Sequence, residues 1–157
     1  GFEHGAARLL RQGGRQGLPI ALILSDLDHF KSVNDRHGHG CGDMVITAFA
    51  RCLSQTAGSR HLVGRIGGEE FAVLLPGVNA AAARLVAEGL RVEFAQLRFP
   101  AWPNDEFTAS FGVAEMQDDD LDGLTRRADS ALYAAKAAGR NRVRMMPPRD
   151  AAETGPA

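Results

Sequence analysis

The stretch Arg65-Ile66-Gly67-Gly68-Glu69-Glu70-Phe71, running directly into Ala72-Val73-Leu74-Leu75-Pro76, reads as a β-hairpin. His61 to Ile66 supplies one strand and the apolar run Phe71 to Leu75 its partner. Gly67-Gly68 marks a tight turn, because glycine takes positive φ without a steric cost. Glu69 and Glu70 then set two carboxylates side by side on the exit of that turn. Adjacent carboxylates repel unless a cation or a proton neutralises one of them. Taken alone, the pair reads first as a solvated acidic tip, and its meaning depends on what else the fold brings to the turn.

Working outward, the chain alternates helical and extended patterns. Phe2 to Gln16 carries apolar residues at helical spacing and breaks at Gly13-Gly14 and Gly17. Pro19 to Leu27 is a buried strand closing in Ser25-Asp26-Leu27-Asp28. Asp28 is placed to N-cap a short helix over Phe30 to Asp35. Gly38, Gly40 and Gly42 suit a loop, followed by a helix from about Gly42 to Thr56 with Val45, Phe49, Cys52 and Leu53 on one face. After the hairpin come a helix from Ala80 to Leu97 with the stripe Val86, Leu90, Phe94 and Leu97, and a loop over Pro100 to Asp105. A strand from Phe107 to Met116, a helix from Leu121 to Ala138 and a short strand from Val143 to Met146 complete the pattern. Pro147 to Ala157 is a Pro- and Ala-rich tail, expected to be flexible. The order predicts an α/β (α+β) sandwich with a central, mostly antiparallel sheet flanked by helices.

Composition narrows the function classes. At 157 residues the chain is one domain by length. A formal net charge of −1 gives no bulk attraction to a nucleic-acid polymer or an anionic membrane. No apolar run is long enough to span a bilayer. The two cysteines, Cys41 and Cys52, have neither disulfide nor zinc spacing, and a reducing cytoplasm is the simplest compartment.

Three constellations bear on chemistry. Asp26 closes a buried strand, where a carboxylate is costly unless it caps something or holds a metal. Lys31 sits at a helix start whose free N–H groups suit phosphate. Asn34 and Asp43, with His39 between them, carry the donor and acceptor edges needed to read a purine such as guanine. His37 and His39 form an H-x-H without further partners, a weak zinc signal. Lys136 and Arg140, at i and i+4 near the end of the last helix, either answer the helix dipole or grip an anion.

Together these segments resemble the GGDEF domain of the diguanylate cyclase family, here in a GGEEF form. The resemblance rests on Asp26-Leu27-Asp28-His29-Phe30-Lys31-Ser32-Val33-Asn34-Asp35, Gly38-His39, Gly42-Asp43 and Arg65 to Phe71. Ser110-Phe111-Gly112-Val113-Ala114, Ala128-Asp129, Ala131-Leu132-Tyr133, Ala135-Lys136 and Gly139-Arg140-Asn141 extend it. It implies a palm-like cyclase fold over residues 1–146 that condenses two GTP into cyclic di-GMP and two pyrophosphates. By the same resemblance, Asp26, the Leu27 carbonyl and Glu69 would hold Mg²⁺ or Mn²⁺. Glu70 completes the acidic hairpin, and either Glu69 or Glu70 assists loss of the 3′-hydroxyl proton. The backbone of His29 and Phe30, with Lys31, Lys136 and Arg140, would bind the triphosphate. Asn34 and Asp43 would read guanine with His39 close by, while Gly67 and Gly68 admit the nucleotide. Each domain brings one GTP, so a homodimer is expected.

Two departures from the family pattern stand out. Its product-inhibition site, R-x-x-D, would fall at Gly58 and His61, with a second arginine at Gly89, and none of the three carries the expected charge. The family's D-x-L-T-G-L-x-N-R run would precede Gly1, so a leading segment and an N-terminal sensor or regulatory domain are expected outside this sequence. The domain is expected in the cytoplasm, on a protein that tolerates a membrane tether. The competing reading is a catalytically silent GTP-binding module.

Overall fold

The computed structural model describes residues 1–147, and the tail expected over 147–157 lies outside them but for Pro147. The elements are α1 (Phe2–Gln16), β1 (Ile20–Leu27), α2 (Phe30–His37), α3 (His39–Ala57), β2 (Leu62–Arg65) and β3 (Glu70–Pro76). They continue with α4 (Ala80–Gln96), β4 (Ala109–Glu115), α5 (Leu121–Ala137) and β5 (Val143–Met145). The five strands lie in the order β2-β3-β1-β4-β5. Every pair is antiparallel except β4 with β5.

Strand β1 is buried along its whole length because it lies mid-sheet with helices on both faces. Its side chains alternate between two cores. Ala21 and Ile23 face α3 and α4, packing with Phe49, Phe94 and Phe111. The Phe49 ring meets Phe94 edge-on with centroids 4.8 Å apart. Leu22 and Leu24 face α1 and α5, packing with Ala6, Leu124, Ala128 and Leu132. A Cβ on Gly112 would collide with the α5 backbone at Ala128 and Leu132, so glycine there lets α5 lie directly on β4.

Three local expectations are corrected. The glycines at 40 and 42 do not make a loop, because α3 already begins at His39. Gly42 is buried inside that helix, where a Cβ would strike the Asn34 amide and the Phe30 ring, so its smallness lets α3 close on α2. The hairpin is wider than a two-residue turn: Arg65 pairs with Phe71, and the Ile66 N–H donates to the Glu70 carbonyl at 2.9 Å. Neither Gly67 nor Gly68 takes positive φ; the Arg65 guanidinium instead holds the turn by donating to the carbonyls of both. Nor is Asp28 the N-cap of α2. His29 takes that position with φ 54°, and the Asp28 carboxylate turns inward toward β4, where hydroxyl and backbone donors satisfy it in the interior.

Among the described residues no helix is long and apolar enough to cross a membrane. Both cysteines are buried and free, Cys52 on the core face of α3 as expected.

Candidate active site

The C-terminal end of β1 opens into a cleft of about 210 Å³ lined by Asp26, Leu27, Asp28, His29, Phe30, Lys31, Glu69, Lys136 and Arg140. Sheet register assembles it. Asp26 lies opposite Glu70 across the β1–β3 pair, and the Leu27 N–H donates to the Glu69 carbonyl at 3.2 Å. The hairpin carboxylates are therefore brought to the end of the strand that carries Asp26. Glu69 is half-buried in the cleft wall, whereas Glu70 is exposed and outside the lining.

Asp26 is the electrostatic centre. One oxygen, Oδ2, pairs with the Lys136 ammonium, while Oδ1 is buried without a hydrogen-bond partner. Burial pushes its carboxyl above the ordinary range; Lys136 opposes the shift through its hydrogen bond and charge, and Glu69 and Glu70 add to it. Such a half-satisfied buried carboxylate is relieved by a proton or by a further cation. The donor set of carboxylates and a carbonyl is hard oxygen, which suits Mg²⁺ or Mn²⁺. Among the described residues no group of three or more His, Cys, Asp or Glu side chains is gathered so as to hold a metal ion by itself. Asp26, Glu69 and the Leu27 carbonyl would therefore hold such an ion only as an open set, of the kind Mg²⁺ shares with substrate phosphates.

The cationic wall faces this centre. Lys31 is exposed on the first turn of α2, whose leading N–H groups have no partner within the helix. Lys136 projects from the last turn of α5, and Arg140 follows in a left-handed backbone conformation with φ 63°.

One buried hydrogen-bond network escapes sequence reasoning. Asp28 accepts from Ser110 Oγ at 2.6 Å, Thr108 Oγ1 at 2.7 Å and the Asn141 N–H at 3.0 Å. It ties the start of α2 to β4 and to the turn that carries Arg140. Only the unusual pairing of Ser110 and Thr108 near a strand start hints at this in the sequence, and its partner lies 80 residues away.

The remaining expected residues lie outside this lining. Asn34 sits where α2 meets α3, its Oδ1 buried and unpartnered against Gly42. His39 and Asp43 are exposed on the first turns of α3, Asp43 beside a shallow groove that also includes Met44, Arg51 and Phe99. Gly67 and Gly68 are exposed at the hairpin tip. His37 turns away, its ring near Trp102 and its Nε2 2.9 Å from Asp105 Oδ2, so it is not gathered with His39 around a metal.

The sequence and the fold have counterparts among known proteins. The family described as "Diguanylate cyclase, GGDEF domain" matches residues 1–142. The chain belongs to the GGDEF family. The GGDEF domain is 45% identical over 136 residues to diguanylate cyclase DgcM of Escherichia coli (strain K12), covering 83% of this chain and 33% of that protein. With the probable diguanylate cyclase DgcF of the same organism it shares 39% identity over 140 residues, covering 84% and 44%. The chain thus spans less than half the length of these curated relatives. Among solved structures, the active GGEEF domain of a diguanylate cyclase from Vibrio cholerae matches with a TM-score of 0.85 at 33% identity, covering 90% of this chain and 92% of that one. The GGDEF domain of DgcB from Caulobacter crescentus, solved in complex with c-di-GMP, matches at 0.87 with 35% identity, covering 92% and 88%.

Proposed function

We propose that this GGDEF domain is a diguanylate cyclase, condensing two GTP into cyclic di-GMP with release of two pyrophosphates, as a metal-dependent homodimer. The observation that carries the reading is the buried, half-satisfied carboxylate of Asp26, set beside Glu69 in a cleft whose other wall is Lys31, Lys136 and Arg140. Anionic and cationic walls facing each other suit a metal–triphosphate better than either partner alone.

Asp26, the Leu27 carbonyl and Glu69 would hold Mg²⁺ or Mn²⁺, which when bound neutralises charge building on the α-phosphate and the leaving pyrophosphate. The residues of the chain do the rest. Lys31, Arg140 and the N–H groups of His29 and Phe30 hold the triphosphate against the start of α2. Lys136 lies between Asp26 and the phosphates and balances both. Asn34 and Asp43 read the guanine edge beside His39, and the bare backbone at Gly67 and Gly68 leaves room for the nucleotide. The 3′-hydroxyl proton leaves to a carboxylate of the hairpin. Catalysis is positional, with attacking oxygen and phosphorus held in line.

Incubation with GTP and Mg²⁺ tests the reading: cyclic di-GMP is the expected product by chromatography. Glu69→Ala should lower the rate on the order of a hundredfold or more, the usual cost of one charge-stabilising group. GTP binding without product would leave the silent module as the function. Full activity of Glu69→Ala would overturn the site.

A further inference from the structure

Arg140 reaches the cleft from an uncommon piece of backbone. It and Asn141 are consecutive non-glycine residues with φ of 63° and 46°. L side chains, arginine more than asparagine, visit this left-handed region rarely and hold it only where surrounding contacts fix it. Here they do. The Arg140 N–H donates to the Ala135 carbonyl at 3.0 Å, and the Arg140 carbonyl accepts from Arg142 Nε at 2.9 Å. Asn141 is held from two sides: its N–H donates to Asp28, and its Oδ1 accepts from Arg91 Nη1 at 3.1 Å. Arg91 comes from α4, is absent from the cleft lining, and is aimed by Glu88, whose carboxylate oxygens accept from Arg91 Nε at 3.1 Å each.

We propose that Arg91 is a positioning residue for the triphosphate grip, acting through Asn141 to hold Arg140 facing the cleft. The assignment rests on the reading that Arg140 meets phosphate. The Arg91 guanidinium, paired with Glu88 on its own helix, reaches the one side chain that follows Arg140. With Asp28 on its other side, Asn141 is clamped, and Arg140 has its backbone fixed at both ends while its side chain stays available.

The test is a cycle of variants read by calorimetric binding of α,β-methylene GTP with Mg²⁺, a nucleotide that cannot release pyrophosphate. Arg91→Met should weaken binding roughly tenfold through misplacement of Arg140, and raise KM more than it lowers kcat. In an Arg140→Met background the same change should add no further loss, because the two act as one unit. Arg91→Lys, which keeps one donor, should recover part of the affinity. Asn141→Gly keeps the left-handed turn without strain but removes the acceptor, so it should copy Arg91→Met even if that variant is poorly folded. Amide hydrogen exchange at Arg140 and Asn141 should quicken in Arg91→Met while strands β1 and β4 keep their protection. Wild-type affinity in Arg91→Met, or losses that multiply with Arg140→Met, would overturn the proposal. If the unaltered chain binds no nucleotide, the phosphate reading falls instead, and the exchange rates still decide whether Arg91 holds the turn.

Discussion

At the scale of single residues, Asp26 is where the proposed function would be held at the expense of stability. Its carboxyl is raised above the ordinary 3.8, chiefly by burial. The native state therefore keeps this proton in a range where the unfolded chain has released it. The stability it contributes is fully present below pH 3.8 and is lost as pH rises through the higher folded value. At neutral pH, without metal, the ionised group is a burden, and Asp26→Asn should stabilise the fold by about 1 kcal/mol, or roughly 2–4 °C in Tm. The gain should fade toward pH 3.5, where both side chains are neutral (about the ordinary carboxylate value), while cyclase activity is lost at every pH. Thermal unfolding in chelator across that range is the measurement, and a lower Tm for Asp26→Asn at pH 7 would overturn it. The oddity of Asp26 was legible because a carboxylate ending an apolar strand has no local use. Asp28 was misread for the complementary reason: it had a good local use as a cap, and the donors that outbid the cap lie 80 and 82 residues further on.

At the scale of elements, hydrophobic periodicity and turn residues recover the ten elements of the described residues and the antiparallel majority of the sheet, helped by the clear stripes that α3, α4 and α5 bury. Glycine is where local reasoning gives out. Gly40 and Gly42 look like loop residues, yet Gly42 is a helical contact point against Asn34, and close packing leaves no mark in a single sequence. The turn between α3 and β2 is the opposite case, since its glycine is conformational. Gly58 has φ 65° and ψ −165°, a region essentially reserved for glycine. His61 nearby is half-buried, and burial lowers its imidazole below the ordinary histidine range, which favours the neutral form. Gly89, exposed on α4, adds no charge. We therefore expect cyclic di-GMP, added well above enzyme concentration, to leave initial rates unchanged; strong inhibition would show a product site elsewhere. Restoring the family's arginine as Gly58→Arg should cost about 1–3 kcal/mol in urea unfolding, because the backbone there excludes a side chain. The expected lack of that brake would then rest on the turn as well as on the missing charge.

At the scale of the whole molecule, the sheet separates two cores, and the cleft lies at the end of its central strand, where β1, the hairpin, α2 and α5 meet. One domain offers one Asp26, one Glu69 and one cationic wall around a single cleft of about 210 Å³. The proposed product, cyclic di-GMP, contains two equivalent phosphodiester bonds, so each nucleotide would serve once as nucleophile and once as electrophile. On the proposed reaction, a single domain holding one GTP would lack the partner 3′-oxygen, and two domains facing each other antiparallel would supply it symmetrically. Specific activity should therefore rise with protein concentration until the dimer is saturated, and a constant value across a wide dilution series would exclude an obligate encounter. Mixing sharpens the test. With excess Glu69→Ala chain, most wild-type domains face an inactive partner, where only one of the two bonds can form. Cyclic di-GMP should then fall in proportion to the wild-type pairs remaining, while a linear dinucleotide that keeps one triphosphate accumulates. Loss of both products together would mean that Glu69 is needed on both sides of each bond, placing the carboxylates of the two hairpins in one shared step.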